Sequence, residues 1–151
     1  MDIGSGNGYP ASSLSNFAPH KFVFDGVECN SMEGLLQSFK FQNHDIQVEV
    51  CKLVGRKAKL KGRGKKWFRT QTLYWKGVEY PRASKEYQEL LDRAFEALSM
   101  NSNFRKALLA TGNACLTHSL GKSNMSDTIL TRHEFCSRLM KIRLNLQKVK
   151  S

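Results

Sequence analysis

The feature that most constrains the fold is a set of apolar residues at Tyr87, Leu90, Leu91, Ala94, Phe95 and Leu98. The spacing i, i+3, i+4, i+7, i+8, i+11 is that of one helix face, and it predicts an amphipathic core helix starting at Ser84. A helix of that kind is stable only when its apolar face is covered by other elements. The rest of the chain can supply the cover, since 40% of its 151 residues are hydrophobic and 10% aromatic. That length suits one hydrophobic core. The expectation is a single domain spanning residues 1–151.

The remaining pattern alternates short hairpins with helices. Phe22-Val23-Phe24, Asp25-Gly26 and Val27-Glu28-Cys29 read as a hairpin with a two-residue turn. From Ser31 to about Gln42 the period becomes helical, with Met32, Leu35, Leu36 and Phe39 on one face and Glu33, Gln37 and Lys40 on another. A second helix is expected from Asp45 to about Gly55, with Ile46, Val50, Leu53 and Val54 inside. Leu73–Tyr80 reads as a hairpin turning near Gly77. A short helix then buries Phe104, Ala107 and Leu108 and stops at Thr111-Gly112. Thr131-x-x-Glu134 is a capping box that opens a last helix with Phe135, Leu139, Ile142 and Leu146 inward. The class is α+β, a mainly helical single domain with short β-hairpins. Residues 1–19, rich in Gly, Ser, Asn and Pro, read as an irregular and flexible lead-in. No strand precedes Gly4-Ser5-Gly6-Asn7-Gly8, so the dinucleotide-loop context is missing.

Charge is concentrated in one place. Lys and Arg total 24 and Asp and Glu 13, a net charge of +11. Nine of the basic residues, and no acidic ones, fall between Lys52 and Arg69, leaving 15 basic against 13 acidic elsewhere. Outside this segment the protein is nearly neutral. The segment carries Gly62 and Gly64, and it reads as a fraying helix end that passes into a loop. An anionic partner is implied, with Trp67 and Phe68 interleaved for stacking on bases. No apolar run approaches the length of a membrane span. The first ten residues lack a secretory pattern, so a cytoplasmic protein without membrane contact is expected. The four cysteines show no metal-ligand spacing with the four histidines and read as free thiols.

Two polar constellations stand out. Glu33, Gln37 and Lys40 lie within about 60° on a helical wheel, and the side chain of Lys40 leans back toward the other two. Such a line is a solvated helix face, or a site where a carboxylate, an amide and an ammonium act on a phosphorylated sugar. The second is Thr117-His118-Ser119-Leu120-Gly121-Lys122-Ser123 with Asp127 behind it. It reads equally as a surface loop or as an anion-binding substrate loop. It is not a Walker A motif, because the first glycine of that motif would fall at Leu116.

Leu14-Ser15-Asn16-Phe17, then Asp25-Gly26, then Ser31-Met32-Glu33 with Gln37 and Lys40-Phe41, form an ordered set that resembles the NADAR (YbiA-like) family in a phage-type branch. Gly55-Arg56, Phe104-Arg105 with Leu108-Leu109 and Thr111-Gly112, and Leu139-Met140 with Ile142-Arg143 extend the likeness along most of the chain. The resemblance implies an N-glycosidase that cleaves the bond between a base and a phosphorylated ribose. The implied substrates are ADP-ribosylated guanine, free or in DNA or RNA, and related ribosyl-phosphate compounds. No metal or organic cofactor is implied. Glu33 would be the key carboxylate and Asp127 the second acid. Ser15, Asn16, Phe17, Gln37, Lys40, Arg56, Trp75, His118 and Lys122 would bind substrate. The family's Trp-Gly-x-Gly is replaced here by His118-Ser119-Leu120-Gly121. The rival expectation is a binding module without catalysis that holds ADP-ribose or nucleic acid through residues 52–69.

Overall fold

The computed structural model describes residues 1–150, the side chain of Lys150 excepted; Ser151, the last residue of the expected domain, lies outside the described residues. In chain order the elements are β1 (Phe22–Phe24), β2 (Val27–Cys29), α1 (Met32–Ser38), α2 (His44–Cys51), α3 (Gly55–Arg63), α4 (Trp67–Thr70), β3 (Thr72–Trp75), β4 (Val78–Pro81), α5 (Lys85–Leu98), α6 (Ser102–Ala110) and α7 (Arg132–Lys150). Short 3-10 turns occupy Ala11–Leu14 and Met125–Asp127. The architecture is an α+β single domain, helical apart from two antiparallel hairpins.

Both hairpins close through a pair of residues with positive φ: Asp25 and Gly26 at 47° and 79°, Lys76 and Gly77 at 49° and 82°. This turn twists in the sense that paired strands require. Phe22 and Phe24 are buried while Val23 is exposed, the alternation of a strand with one face on a core. The helix at Ser84 forms as expected. Ser84 Oγ accepts from Tyr87 N at 3.1 Å, and Tyr87, Leu90, Leu91, Ala94, Phe95 and Leu98 are all buried. This helix, α5, packs against β1, β4 and α7, and α6 lies on α7. The capping box is present at α7, with Thr131 N donating to Glu134 Oε1 and Glu134 N to Thr131 Oγ1. All four cysteines are free thiols.

Three expectations are corrected. The first concerns α2, which ends at Cys51 and buries Gln47, Val50 and Cys51 while Ile46 is exposed. Gln47 takes the inner position because it serves the backbone. Its Nε2 donates to the carbonyls of Phe41 and Tyr74 at 2.8 Å and of Ser38 at 3.3 Å, and its Oε1 accepts from His44 Nδ1 and Lys76 N. The Ser38 carbonyl also accepts from Phe41 N at 3.0 Å, so it is the carbonyls of Phe41 and Tyr74 that depend on Gln47 for a donor. The second concerns the opening segment, which is anchored. Ile3 N donates to Thr117 O, Thr117 N to Met1 O, and Ser119 N and Oγ both donate to the Asp2 carboxylate. Ile3 is fully buried. The third concerns the basic segment, which is helical over α3 and α4. Ala58 and Gly62, one turn apart, form its inner face.

Beneath the start of α7, Glu134 and Arg82 form a buried ion pair with bonds of 2.6 and 3.0 Å, and Gln88 Nε2 adds a third at 2.7 Å. Burial works against the Glu134 charge, but the bonds from Arg82, Thr131 and Gln88 outweigh it and hold the carboxyl below its ordinary value. Removing one partner leaves an uncompensated charge in the interior. Arg82→Met is therefore expected to lower stability by about 3–5 kcal/mol in urea unfolding. The wild-type contribution should be complete above the ordinary carboxylate range and disappear as pH falls through the depressed value of Glu134.

Candidate functional site

The polar line is not solvated, but α1 ends at Ser38, short of the expected Gln42, so Glu33 and Gln37 stand on the helix and Lys40 in the turn that follows it. Ser31 caps the helix by accepting from Gly34 N at 3.0 Å, and its hydroxyl donates to Leu53 O at 2.8 Å. Gly34 then lets α1 lie against the end of α2, where a Cβ would meet the carbonyl oxygens of Leu53, Val50 and Cys51 at 2.7 to 3.0 Å. On the next side Gly62 of α3 sits over Gln37, and a Cβ there would collide with Gln37 Oε1. Two glycines thus allow two helices to close on α1, and Gln37 becomes buried.

This closure forms one wall of a cavity of about 620 Å³. Ser15, Asn16 and Phe17 contribute a second wall, tied to α1 by Glu33 N donating to Asn16 O at 3.0 Å. Lys59, Arg63, Lys65, Trp67 and Phe68 come from α3, α4 and their junction. His118, Leu120, Gly121 and Lys122 come from the loop before α7, and Gly4 and Ser5 from the anchored opening segment. Five cations, Lys40, Lys59, Arg63, Lys65 and Lys122, face this space with two carboxylates, Glu33 and Asp127.

The Glu33 carboxylate accepts one hydrogen bond among the described residues, from Gln37 Nε2 at 3.2 Å. Burial raises its proton affinity above that of an ordinary carboxylate. The Gln37 bond and the charges of Lys59, Lys40 and His118 counteract that without cancelling it. Lys40 shows the converse: burial lowers its proton affinity, the Glu33 charge restores part of it, and Lys122 and Lys59 depress it further. His118 is held by two contacts. Its Nδ1 lies 2.8 Å from Ile3 O, and its ring sits edge-on to Phe135 with centroids 5.2 Å apart. A carbonyl can only accept, so Nδ1 carries a hydrogen and Nε2 is the nitrogen left to exchange a proton.

Of the residues singled out in the sequence, Ser15, Asn16, Phe17, Glu33, Gln37, Lys40, His118, Lys122 and Asp127 line this cavity. Asp127 does so from the rim, exposed on its 3-10 turn, with no hydrogen bond to its carboxylate among the described residues. Arg56 and Trp75 do not line it. Arg56 lies at the first turn of α3, outside the cavity. Trp75 is a core residue packed among Phe24, Phe39 and His44, its indole N–H bonded to Asp25 Oδ2 at 2.8 Å. The tryptophan at the cavity is Trp67, which together with Lys59, Arg63 and Lys65 was absent from the expected substrate-binding residues. The signal for them was Gly62, a glycine one helical turn after Ala58 inside a lysine run, which marks a face pressed against another helix.

Among solved structures, the fold is similar to that of the E. coli protein YbiA determined by NMR, with a TM-score of 0.65 over 99% of this chain and 86% of that one. The identity is 20%, so the likeness defines a class of fold: a YbiA-like α+β domain. Sequence comparison is more specific. Residues 8–144 match the family described as bacteriophage protein GP30.3, and the chain belongs to that family. A 17.1 kDa protein from the Gp30-rIII intergenic region of Enterobacteria phage T4 is 38% identical over 151 residues, covering 97% of this chain and 98% of that protein.

The closure at Gly62 is testable. Gly62→Ala is expected to push α3 away from Gln37 and lower stability by about 1–3 kcal/mol in thermal unfolding. Gly64→Ala, where nothing lies within 4 Å of a new Cβ and φ is −76°, should leave the melting temperature almost unchanged.

Proposed function

We propose that the protein is an N-glycosidase that hydrolyses the base–ribose bond of an ADP-ribosylated guanine or a related ribosyl-phosphate compound. The observation that carries this reading is Glu33: a desolvated carboxylate that, among the described residues, meets one amide and no cation in direct contact, inside a cavity rich in positive charge. The ordered NADAR motifs and the YbiA-like fold support it.

Cleavage of an N-glycosidic bond develops positive charge at the sugar carbon, and a carboxylate in a low-dielectric wall stabilises that charge strongly. As the C1′–N bond breaks, its electron pair leaves with the base. A water adds to C1′ and passes a proton to Glu33. The departing base needs a proton or a hydrogen-bond donor. His118 suits this role, because its ring is fixed at Nδ1 and on Phe135. Asp127, exposed and unbonded, is the other carboxyl available at the cavity rim. Lys40 and Lys122 would hold phosphate oxygens. Ser15 and Asn16 would meet sugar hydroxyls, Asn16 Oδ1 being a buried acceptor without a donor among the described residues.

The test is release of ADP-ribose from ADP-ribosylated guanosine, followed by chromatography. Glu33→Gln is expected to abolish turnover while the melting temperature at neutral pH stays equal or rises. The sign follows from linkage. An acid that binds its proton more tightly folded than unfolded destabilises the fold as pH rises from the ordinary carboxylate value through the raised one, and the amide removes that penalty. Undiminished turnover in Glu33→Gln would overturn the mechanism. In the wild type, kcat/KM should follow a bell-shaped pH profile. Its acid limb should lie above the ordinary carboxylate range, from Glu33, and its alkaline limb below the ordinary lysine range, from Lys40.

A further inference from the structure

The cations around α3 exceed what a small phosphorylated sugar requires. A pyrophosphate is matched by a pair of cations, whereas five line the cavity and further ones continue along the outside of α3 and α4. Among the described residues, none of the nine basic side chains between Lys52 and Arg69 forms an ion pair with a carboxylate. Several of them, Lys57 with Lys61 and Lys59 with Arg63, are like charges four residues apart, an arrangement that weakens a helix. An uncompensated cluster of this kind on an ordered helix is suited to an anion that the protein itself does not contain.

The order within the cluster is informative. Arg56, Lys59 and Arg63 stand at i, i+3 and i+7, so they share one face of α3 within about 60°. They cover about 10.5 Å along the axis. Lys59 and Arg63 face the cavity, and Arg56 continues the same stripe beyond its edge. Stacked nucleotides repeat about every 3.4 Å along a strand, so the stripe is the length of about three phosphates. At the mouth of the cavity Phe68, on α4, leaves 54% of its surface exposed, an aromatic face beside the cationic track.

We infer that the α3–α4 face binds a single-stranded polynucleotide, with its phosphates along Arg56, Lys59 and Arg63 and a base stacked on Phe68. Cations in register and an adjoining aromatic platform are what an unpaired strand engages. An acidic peptide would use the charges and leave the ring idle. What the strand delivers rests on the glycosidase reading of the cavity, in which the scissile base belongs to that strand. The binding itself does not rest on it, because an unmodified strand meets the same face.

The experiment is fluorescence anisotropy of a fluorescein-labelled oligothymidylate about 12 nucleotides long with the full chain, between about 50 and 200 mM salt. A uridylate oligomer of equal length serves as the RNA arm. The association constant is expected to fall with salt at a log–log slope of about −2, from about three phosphates at about −0.7 each. Arg56→Ala should weaken binding several-fold and reduce the slope to about −1.4. Phe68→Ala should weaken binding about tenfold with the slope unchanged, as loss of stacking requires. Lys141→Ala, an exposed lysine of α7, should leave both unchanged. Circular dichroism of each variant verifies that α3 and α4 remain folded. The inference is overturned if the oligomer fails to bind at the lowest salt, if Arg56→Ala and Phe68→Ala both match the wild type, or if polyglutamate or phosphatidylserine vesicles bind equally well. Turnover of free ADP-ribosylated guanosine without oligomer binding would remove this inference alone. Oligomer binding without turnover would remove the glycosidase reading alone.

Discussion

The close approach of three helices at α1 is the constraint from which the site follows. Gly34 brings α1 onto the carbonyls that end α2, and Gly62 brings α3 onto Gln37. A helix of seven residues has little stability of its own. Here it is held by a capping serine, by two neighbours that tolerate no side chain at the crossing, and by burial of six of its residues. Because α1 is enclosed, Gln37 is buried, and Glu33 and Lys40, in the turn after the helix, are left only partly exposed. The altered proton affinities of Glu33 and Lys40 are thus consequences of packing.

Much of this is legible in the sequence. The apolar period at Tyr87–Leu98, the Asp25-Gly26 turn and the Thr131–Glu134 box are local signals, each complete within a few residues, and each appears where expected. Glu33, Gln37 and Lys40 were legible as a line, but periodicity does not tell a solvated polar face from one covered by another polar helix. Three features depended on distant partners. Trp75 was placed at the substrate, yet its partner is Asp25 fifty residues earlier. Gln47 displaced Ile46 from the interior because carbonyls of Phe41 and Tyr74 needed a donor. The basic segment reads as a fraying helix end passing into a loop because it carries Gly62 and Gly64, while the burial of Ala58 and the contact of Gly62 with Gln37 of α1 hold it as a helix.

The net charge of the chain is likewise a local property. The Glu134–Arg82 pair and the Asp25–Arg93 pair neutralise charge inside and beside the core. Asp25 is held below its ordinary value although burial opposes it, because Trp75 and Arg93 bond to the ionised form. These pairs fix elements to one another. Five cations outside any ion pair among the described residues, Lys40, Lys59, Arg63, Lys65 and Lys122, line the cavity, where the field they produce is available to a ligand.

The anchoring of the opening segment has a consequence for how the protein is made. His118 is oriented by the carbonyl of Ile3, 115 residues earlier, and Ser119 is bonded to Asp2, 117 residues earlier. Contacts of such long range form late, because the entropy of closing the loop is spent before they return any stability. On the ribosome, the helices around Glu33 can gather while the loop that completes the cavity is still unsynthesised. The cavity therefore closes late, and a nascent chain acquires it only after the segment from His118 to Phe135 has emerged.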